Sequence, residues 1–479
     1  MVHLSRNGTK WISGMIQRTA IKRTDYRPPP AGQLLVPGVC APPLTHRTLY
    51  GGKEGTDTSF YDNSVEKYAQ MNIRTVTLQE MMDFGRDNSK GDSAKLVSSA
   101  NFLQHEMPIR LARRLMDLQL LPFVVVSNPH IHSVYRAYHT AFNALRKMKL
   151  VRSVEDNLEF TNVLKRMVDE HAPMVTALAN GVRECRSKPM VGEKLEMDGF
   201  LDNMLRSRIS RRVLAEQHIS LNTRREGYVG VICTDLSVEQ AVRYNVRRTK
   251  DVTMQTYGVV PDISIEGDLD TRVPYLPAHL DYMLFELLKN ACRATVEHSM
   301  QSQHPGCTPQ ALQMADTRIS LPKVRVRICD GSDNNVTVKI SDQGGGIEPS
   351  MLDNIWRYGF TTVVDPASEE NDVFGLSSAL PDGPPGAMNL GAMIGGQGGG
   401  FSTTADLRNP MAGLGFGLPL SRLYAQYFGG DLHIVPISGM NLMIACRMVS
   451  HRAECDDNDL QRVGRLLESL TIGTYVISI

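Results

Sequence analysis

The stretch FELLKNACRATVEHS, residues 285–299, places Glu286, Lys289, Asn290 and Arg293 at i, i+3, i+4 and i+7. At the helical period one face carries all four, and Leu287, Leu288 and Ala291 take the opposite, apolar side. A carboxylate one turn before a carboxamide sets a base beside a neutral oxygen ligand. Magnesium prefers hard oxygen donors and keeps much of its water, so the Asn290 oxygen with substrate phosphates suffices to hold it. The same spacing also describes a solvated amphipathic face, and these residues alone leave both readings open.

Two glycine-rich stretches lie downstream. In ISDQGGGI, residues 340–347, Asp342 ends an expected strand and Gly344, Gly345 and Gly346 follow it. An aspartate there can accept from an exocyclic amine while glycines let backbone approach a flat ring; a tight turn is the plain alternative. In GLGFGLPLSRLYAQYFGGDL, residues 413–432, Gly413, Gly415 and Gly417 precede a helix expected from about Leu418 to Phe428. Such an approach to a helix N-terminus exposes backbone N–H groups to an anion. Without a βαβ context, a nicotinamide fingerprint is not supported.

Outward from these motifs, residues 64–83, 92–121, 128–149, 155–187 and 194–222 carry apolar positions at helical spacing, with Asn128 and Pro129 as a cap and first-turn proline. Long helices with short connections predict an N-terminal bundle. From Tyr228 the texture changes. YVGVIC reads as a buried strand, a helix is expected from Ser237, ISIEG is a second strand, and residues 274–300 are one long helix. VRVRIC and VTVKISD alternate as a hairpin around residues 331–333. The expected organisation is a leader over 1–60, a helical domain over 61–225, an α/β domain over 226–450 with a glycine-rich lid at 363–412, and a tail over 451–479.

The composition is ordinary for a globular chain of 479 residues, 42% hydrophobic and 22% charged, with Lys+Arg 52 against Asp+Glu 51. That balance removes the strongest argument for a nucleic-acid partner. No stretch reaches the roughly 18 apolar residues of a membrane span. Eight scattered cysteines form no CxxC pair, which fits reduced packing thiols rather than a zinc site. The first 27 residues are different: Arg6, Lys10, Arg18, Lys22, Arg23 and Arg27 face only Asp25, with hydroxyl residues and Trp11, Ile12, Met15 and Ile16 between them. This is the composition of an organelle transit peptide, with a plain basic tail as the alternative.

ExxKNAxRA, DxGxGI and GxGxGLPLSR, in that order, resemble the boxes of the Bergerat-type ATP fold shared by gyrase, heat-shock chaperones and sensor kinases. HEMPIRLARRL, LPFVVVSNPHI, ELLKNACRAT, the FTT of residues 360–362 and GLPLSRLYAQYFGG narrow the resemblance to the mitochondrial 2-oxoacid dehydrogenase kinases, from about Asp92 to Asp431. The implied fold is α+β, an N-terminal helical bundle followed by a Bergerat-type, histidine-kinase-like α/β sandwich that binds ATP. The implied activity is γ-phosphoryl transfer from ATP to a serine of a dehydrogenase component. LPFVVVSNPHI, YVGVICTDLS and LDYML resemble the branched-chain kinase and favour that complex, whereas GLPLSRLYAQYFGGDL is closer to the pyruvate dehydrogenase kinases, so pyruvate dehydrogenase is the alternative and a non-catalytic ATP-binding scaffold a second alternative.

By the same resemblance, Glu286 is the general base and Asn290 holds Mg2+. Asp342, with Gly344 and Gly346, reads adenine. Thr361, Thr362 and the backbone of Gly413, Leu414, Gly415, Phe416, Gly417 and Leu418 bind phosphates. Lys289 and Arg293 add electrostatic stabilisation or order the helix. The resemblance also implies a K+ ion, at whose site branched-chain kinases have an aspartate and this chain has Arg357. It implies a homodimer in the mitochondrial matrix, docked on the lipoyl domain of the acyltransferase core. LLPFVVV is a candidate slot for the lipoyl arm, or simple bundle core. Residues 438–448 lack the family's Gly-Thr-Asp triplet, whose threonine supports the adenine aspartate. Of the helical histidines, His105, His171 and His218 are the candidates for autophosphorylation, from which the family resemblance points away.

Overall fold

Helices fill the first half of the chain: α1 (Asn63–Ala69), α2 (Leu78–Arg86), α3 (Asp92–Gln119), α4 (Phe123–Val126), α5 (Pro129–Lys147), α6 (Val154–Glu170), α7 (Met174–Arg186) and α8 (Met197–Leu221). The computed structural model describes residues 63–86, 91–186, 197–223, 225–306, 319–331, 335–360, 415–437 and 441–449. The basic leader, the expected lid at 363–412, the tail and the positions of Thr361, Thr362, Gly413 and Leu414 lie outside these residues.

Local chemistry sets the helix ends. The Asn128 side chain accepts from the backbone N–H of His130 and Ile131, with Pro129 at the first helical position of α5. Ser153 and Asp156 form a reciprocal capping box that starts α6. Two segments expected to be continuous are divided. Residues 64–83 become α1 and α2, because Thr77 and Glu80 exchange side-chain bonds to each other's backbone N–H and open a new helix. Residues 155–187 become α6 and α7, broken before Pro173, whose nitrogen has no proton to give a preceding turn. The central α3 packs against α1, α5, α6 and α8.

The second half opens with β1 (Tyr228–Val229) and β2 (Ile232–Ser237). YVGVIC is therefore a hairpin rather than one strand, turning at Gly230 and Val231 with Val229 opposite Ile232. Only Ile232 of the run is buried, so it lacks the two covered faces that a continuous buried strand needs. α9 (Val238–Tyr257) follows, capped by Ser237, and β4 (Arg272–Tyr275) completes this three-stranded sheet in the order β1-β2-β4.

The larger sheet runs β3-β5-β6-β8-β7, formed by β3 (Ile263–Gly267), β5 (Val324–Asp330), β6 (Asn335–Asp342), β7 (Asp431–Ile437) and β8 (Asn441–Val449). β3 and β5 are parallel and the other pairs antiparallel, with Val326 opposite Ile340. Val324, Val326 and Ile328 of β5 are buried while Arg325 and Arg327 are exposed, so one face of the sheet is covered. The covering layer includes α10 (Pro277–Gln303), which contacts β5 and β6, and α11 (Gly417–Tyr427), which contacts β7. α10 also packs between α9 and α11. Its buried Leu287, Leu288 and Ala291 join a hydrophobic cluster that extends from Val65 in the helical half to Leu432. The described residues of the two halves thus share a core within one compact unit.

Candidate functional site

α10 turns its apolar side into the core and its polar side onto a cavity of about 400 Å3, a volume typical of small-ligand sites. Glu286, Lys289, Asn290 and Arg293 all line it. The end of β6 supplies Asp342, and the chain beyond it supplies Gly344 and Gly346. The approach to α11 supplies Gly415, Gly417 and Leu418. The expected face and both described glycine approaches therefore converge on one space. Phe416 is the exception among the described candidates, because its ring is buried in the core, 5.1 Å from that of Tyr358, and does not line the cavity.

At one end, Glu286 and Lys289 form a buried ion pair, Lys289 Nζ to Glu286 Oε1 at 2.7 Å. The other carboxylate oxygen, Oε2, faces Gly417, where an added Cβ would overlap it. Only glycine lets the first turn of α11, with its unsatisfied N–H groups, come this close to the carboxylate. Gly415 has φ +75°, a region open to glycine, and an added Cβ there would lie 2.6 Å from the Gly359 carbonyl carbon and the Phe360 oxygen. Arg293 lies along the rim, its Nε donating to Glu297 Oε1 at 3.1 Å, and the Tyr257 hydroxyl donates to the same oxygen at 2.7 Å.

Asp342 is buried and accepts from the Gly344 N–H at 2.9 Å. Burial pushes its carboxyl up to about 6, against the opposing pull of that one hydrogen bond. The register sets Leu442 of β8 opposite Asp342. β8 follows residues 438–440 in the stretch that lacks the expected Gly-Thr-Asp triplet. The polar side of α10 continues past Arg293 with Glu297, His298 and Gln301, which also line the cavity. Counting on by three and four from Asn290 reaches these residues, so the polar face runs about two turns beyond Arg293.

The histidines divide by burial. His218 is fully buried, with Nδ1 2.9 Å from Ser99 Oγ and Nε2 3.2 Å from Thr161 Oγ1. Thr161 donates its hydroxyl proton to the Asn157 carbonyl, so it accepts from Nε2–H, and Nδ1 accepts from Ser99. Burial pushes this imidazole down to about 4. His171 is also buried and is pushed down to about 3, by desolvation first and then by Arg211 and Arg208. Neither ring offers an open nitrogen to a phosphoryl donor. His105 is exposed on α3, 3.5 Å from Glu106, and is absent from the cavity lining.

Residues 75–233 match the family model described as mitochondrial branched-chain alpha-ketoacid dehydrogenase kinase, and residues 276–452 match that of the histidine kinase-, DNA gyrase B- and HSP90-like ATPases. The chain is 34% identical over 377 residues to the mitochondrial pyruvate dehydrogenase (acetyl-transferring) kinase of Arabidopsis thaliana, covering 78% of this chain and 90% of that protein. It is 29% identical to isozyme 4 of the Mus musculus enzyme, over 80% of this chain and 83% of the relative. The value is again 29% for isozyme 3 of Homo sapiens, over 78% and 82%. With the helical region, the ATPase fold and the length of the match in agreement, the chain belongs to the mitochondrial 2-oxoacid dehydrogenase kinase family, with a Bergerat-type ATPase domain.

Proposed function

We propose that the chain is a protein serine kinase that transfers the γ-phosphoryl group of ATP to a serine hydroxyl on the dehydrogenase component of a mitochondrial 2-oxoacid dehydrogenase complex, thereby inactivating it. The observation that carries this reading is the meeting of Glu286, Asn290, Asp342 and Gly417 around one cavity. Asp342 accepts from the adenine amine. Asn290 supplies one oxygen to Mg2+, which neutralises charge between the phosphates when bound. The N–H groups before and within the first turn of α11 orient the phosphates. Glu286 takes the serine proton as the serine oxygen bonds to phosphorus and the bond to the ADP oxygen breaks. Lys289 holds that carboxylate in place, and positioning with charge compensation is most of what phosphoryl transfer requires.

The pyruvate dehydrogenase component is the first substrate to test, supported by the names of relatives that match across about four-fifths of this chain. The branched-chain component, favoured by YVGVICTDLS and LDYML, is the second reading, supported by the description of the model matched at residues 75–233. A purely ATP-binding scaffold has no need of the Glu286 base, and its retention supports catalysis.

The docking and location expected from the resemblance belong to the same proposal. Phe123 is 85% exposed and Leu120 78%, whereas Val125 and Val126 are buried. LLPFVVV is thus partly core and partly an apolar surface on which the lipoyl arm of the acyltransferase core can lie. Docking raises the local concentration of kinase near its target. A homodimer and a matrix location complete the reading, the latter supported by the basic, hydroxyl-rich leader.

Radiolabelled ATP with purified pyruvate and branched-chain dehydrogenase components, side by side, tests the activity. Glu286→Gln keeps a carbonyl for Lys289 and is expected to bind ATP while losing at least about 100-fold in partner phosphorylation. Single-turnover rates near wild type would remove Glu286 from the mechanism, and label on neither component would sink the kinase reading.

Nucleotide affinity is expected to carry the titration of Asp342. Its carboxyl sits near pH 6, so the charged acceptor is present above that pH and is lost as pH falls through it. Affinity should drop severalfold between about pH 7 and pH 5, with a flatter profile for Asp342→Asn. Phosphate titration is common to both proteins, so identical profiles would place adenine elsewhere.

Phe123→Asp, in protein that retains its circular dichroism, is expected to weaken capture by a lipoylated domain with ATP affinity intact. Unchanged capture would move the arm to another surface, and sedimentation as a monomer would remove the homodimer. A reporter fused to residues 1–40 is expected in the mitochondrial matrix; a cytosolic reporter would contradict the transit-peptide reading.

A further inference from the structure

The segment from Asn354 to Phe360 connects the cavity to the helical half. Phe360 and Ile355 line the cavity, and the Gly359 N–H donates to the Gly415 carbonyl at 3.1 Å. On its other side, this segment is held by charge. Asp198 at the start of α8 divides its carboxylate between two guanidinium groups, Arg186 Nη2 to Oδ1 at 2.5 Å and Arg357 Nε to Oδ2 at 3.2 Å. Arg186 Nη1 donates to the Tyr358 carbonyl, and the Tyr358 hydroxyl donates to Asp202, one turn along α8. The Arg357 carbonyl accepts from the Phe360 N–H at 3.3 Å.

A potassium ion implied by the family does not fit these residues. A monovalent cation needs several oxygens, and here both Asp198 oxygens and the carbonyls of Arg357, Tyr358 and Gly415 each already accept from an N–H donor with which the cation would have to compete. It would also enter beside two guanidinium groups that stay charged at any accessible pH. Two arginines against Asp198 and Asp202 leave the cluster balanced without an added ion.

We propose that the Arg186–Asp198–Arg357 cluster replaces a monovalent cation in holding the 354–360 segment against the nucleotide cavity, so that nucleotide binding is independent of potassium. Arg357 and Arg186 are positioning residues, acting on nucleotide through Tyr358–Phe360 and the contact with Gly415. This inference rests on the nucleotide reading of the cavity.

The test is calorimetric titration of Mg-ATP into the full chain, at equal ionic strength, in potassium chloride and in tetramethylammonium chloride. Wild-type affinities are expected to agree within about twofold. Arg357→Asp, which sets a second carboxylate beside Asp198, is expected to bind about tenfold more weakly in tetramethylammonium and to recover in potassium. Arg357→Lys, which keeps the charge, should stay potassium-independent. Tighter wild-type binding in potassium would overturn this inference and leave the nucleotide site standing. An Arg357→Asp variant with wild-type affinity in both salts would also overturn it. Absence of Mg-ATP binding in either salt would instead overturn the nucleotide reading, and this inference with it. The wild-type comparison needs no variant to fold.

Discussion

The buried pair of Glu286 and Lys289 is the contact on which the site depends, because it lies where the core and the cavity meet on one helix. Removing two charges from water is costly, and the pair is sustained only by close geometry and by the groups around it. α10 supplies that geometry through its own i, i+3 spacing. Its apolar side packs against the sheet, so the helix cannot rotate to release the pair without uncovering the core. Gly417 closes the other side of the carboxylate. A single methyl group there would push α11, and the backbone donors at its N-terminus, away from the cavity.

The remaining positions follow from this arrangement. Antiparallel pairing of β5 and β6 brings Asp342 to the strand end, where the chain turns across α10 near Ala294. Asp342 is then deep enough for burial to raise its carboxyl toward neutrality, partly offset by the Gly344 N–H that it accepts from. In the strand register, Leu442 of β8 stands opposite Asp342. The helical half contributes as well, since Asp198 and Asp202 of α8 anchor the segment that supports Gly415.

Much of this was legible in the sequence because regular spacing leaves a periodic trace. Glu286, Lys289, Asn290 and Arg293 could be placed on one face by counting turns, and Val324, Val326 and Ile328 could be placed on one face of their strand by alternation. The cap at Asn128 was readable for a similar reason, since its side chain acts on its own neighbours. What could not be read depended on partners distant in the chain. The ring of Phe416 packs 5.1 Å from that of Tyr358, 58 positions away, and no local pattern marks that contact. The cluster of Arg186, Asp198 and Arg357 joins residues up to 171 positions apart, and no local pattern marks it. YVGVIC was misread because β-branched composition reports strand propensity and not the turn within it.

A structure of the chain with Mg2+ and ADP tests the central claim most directly, that the polar face of α10 and the end of β6 form one nucleotide site. The account expects the adenine amine within hydrogen-bond distance of the Asp342 carboxylate and Mg2+ about 2.1 Å from Asn290 Oδ1. Adenine bound away from Asp342, or a metal held without Asn290, would contradict it.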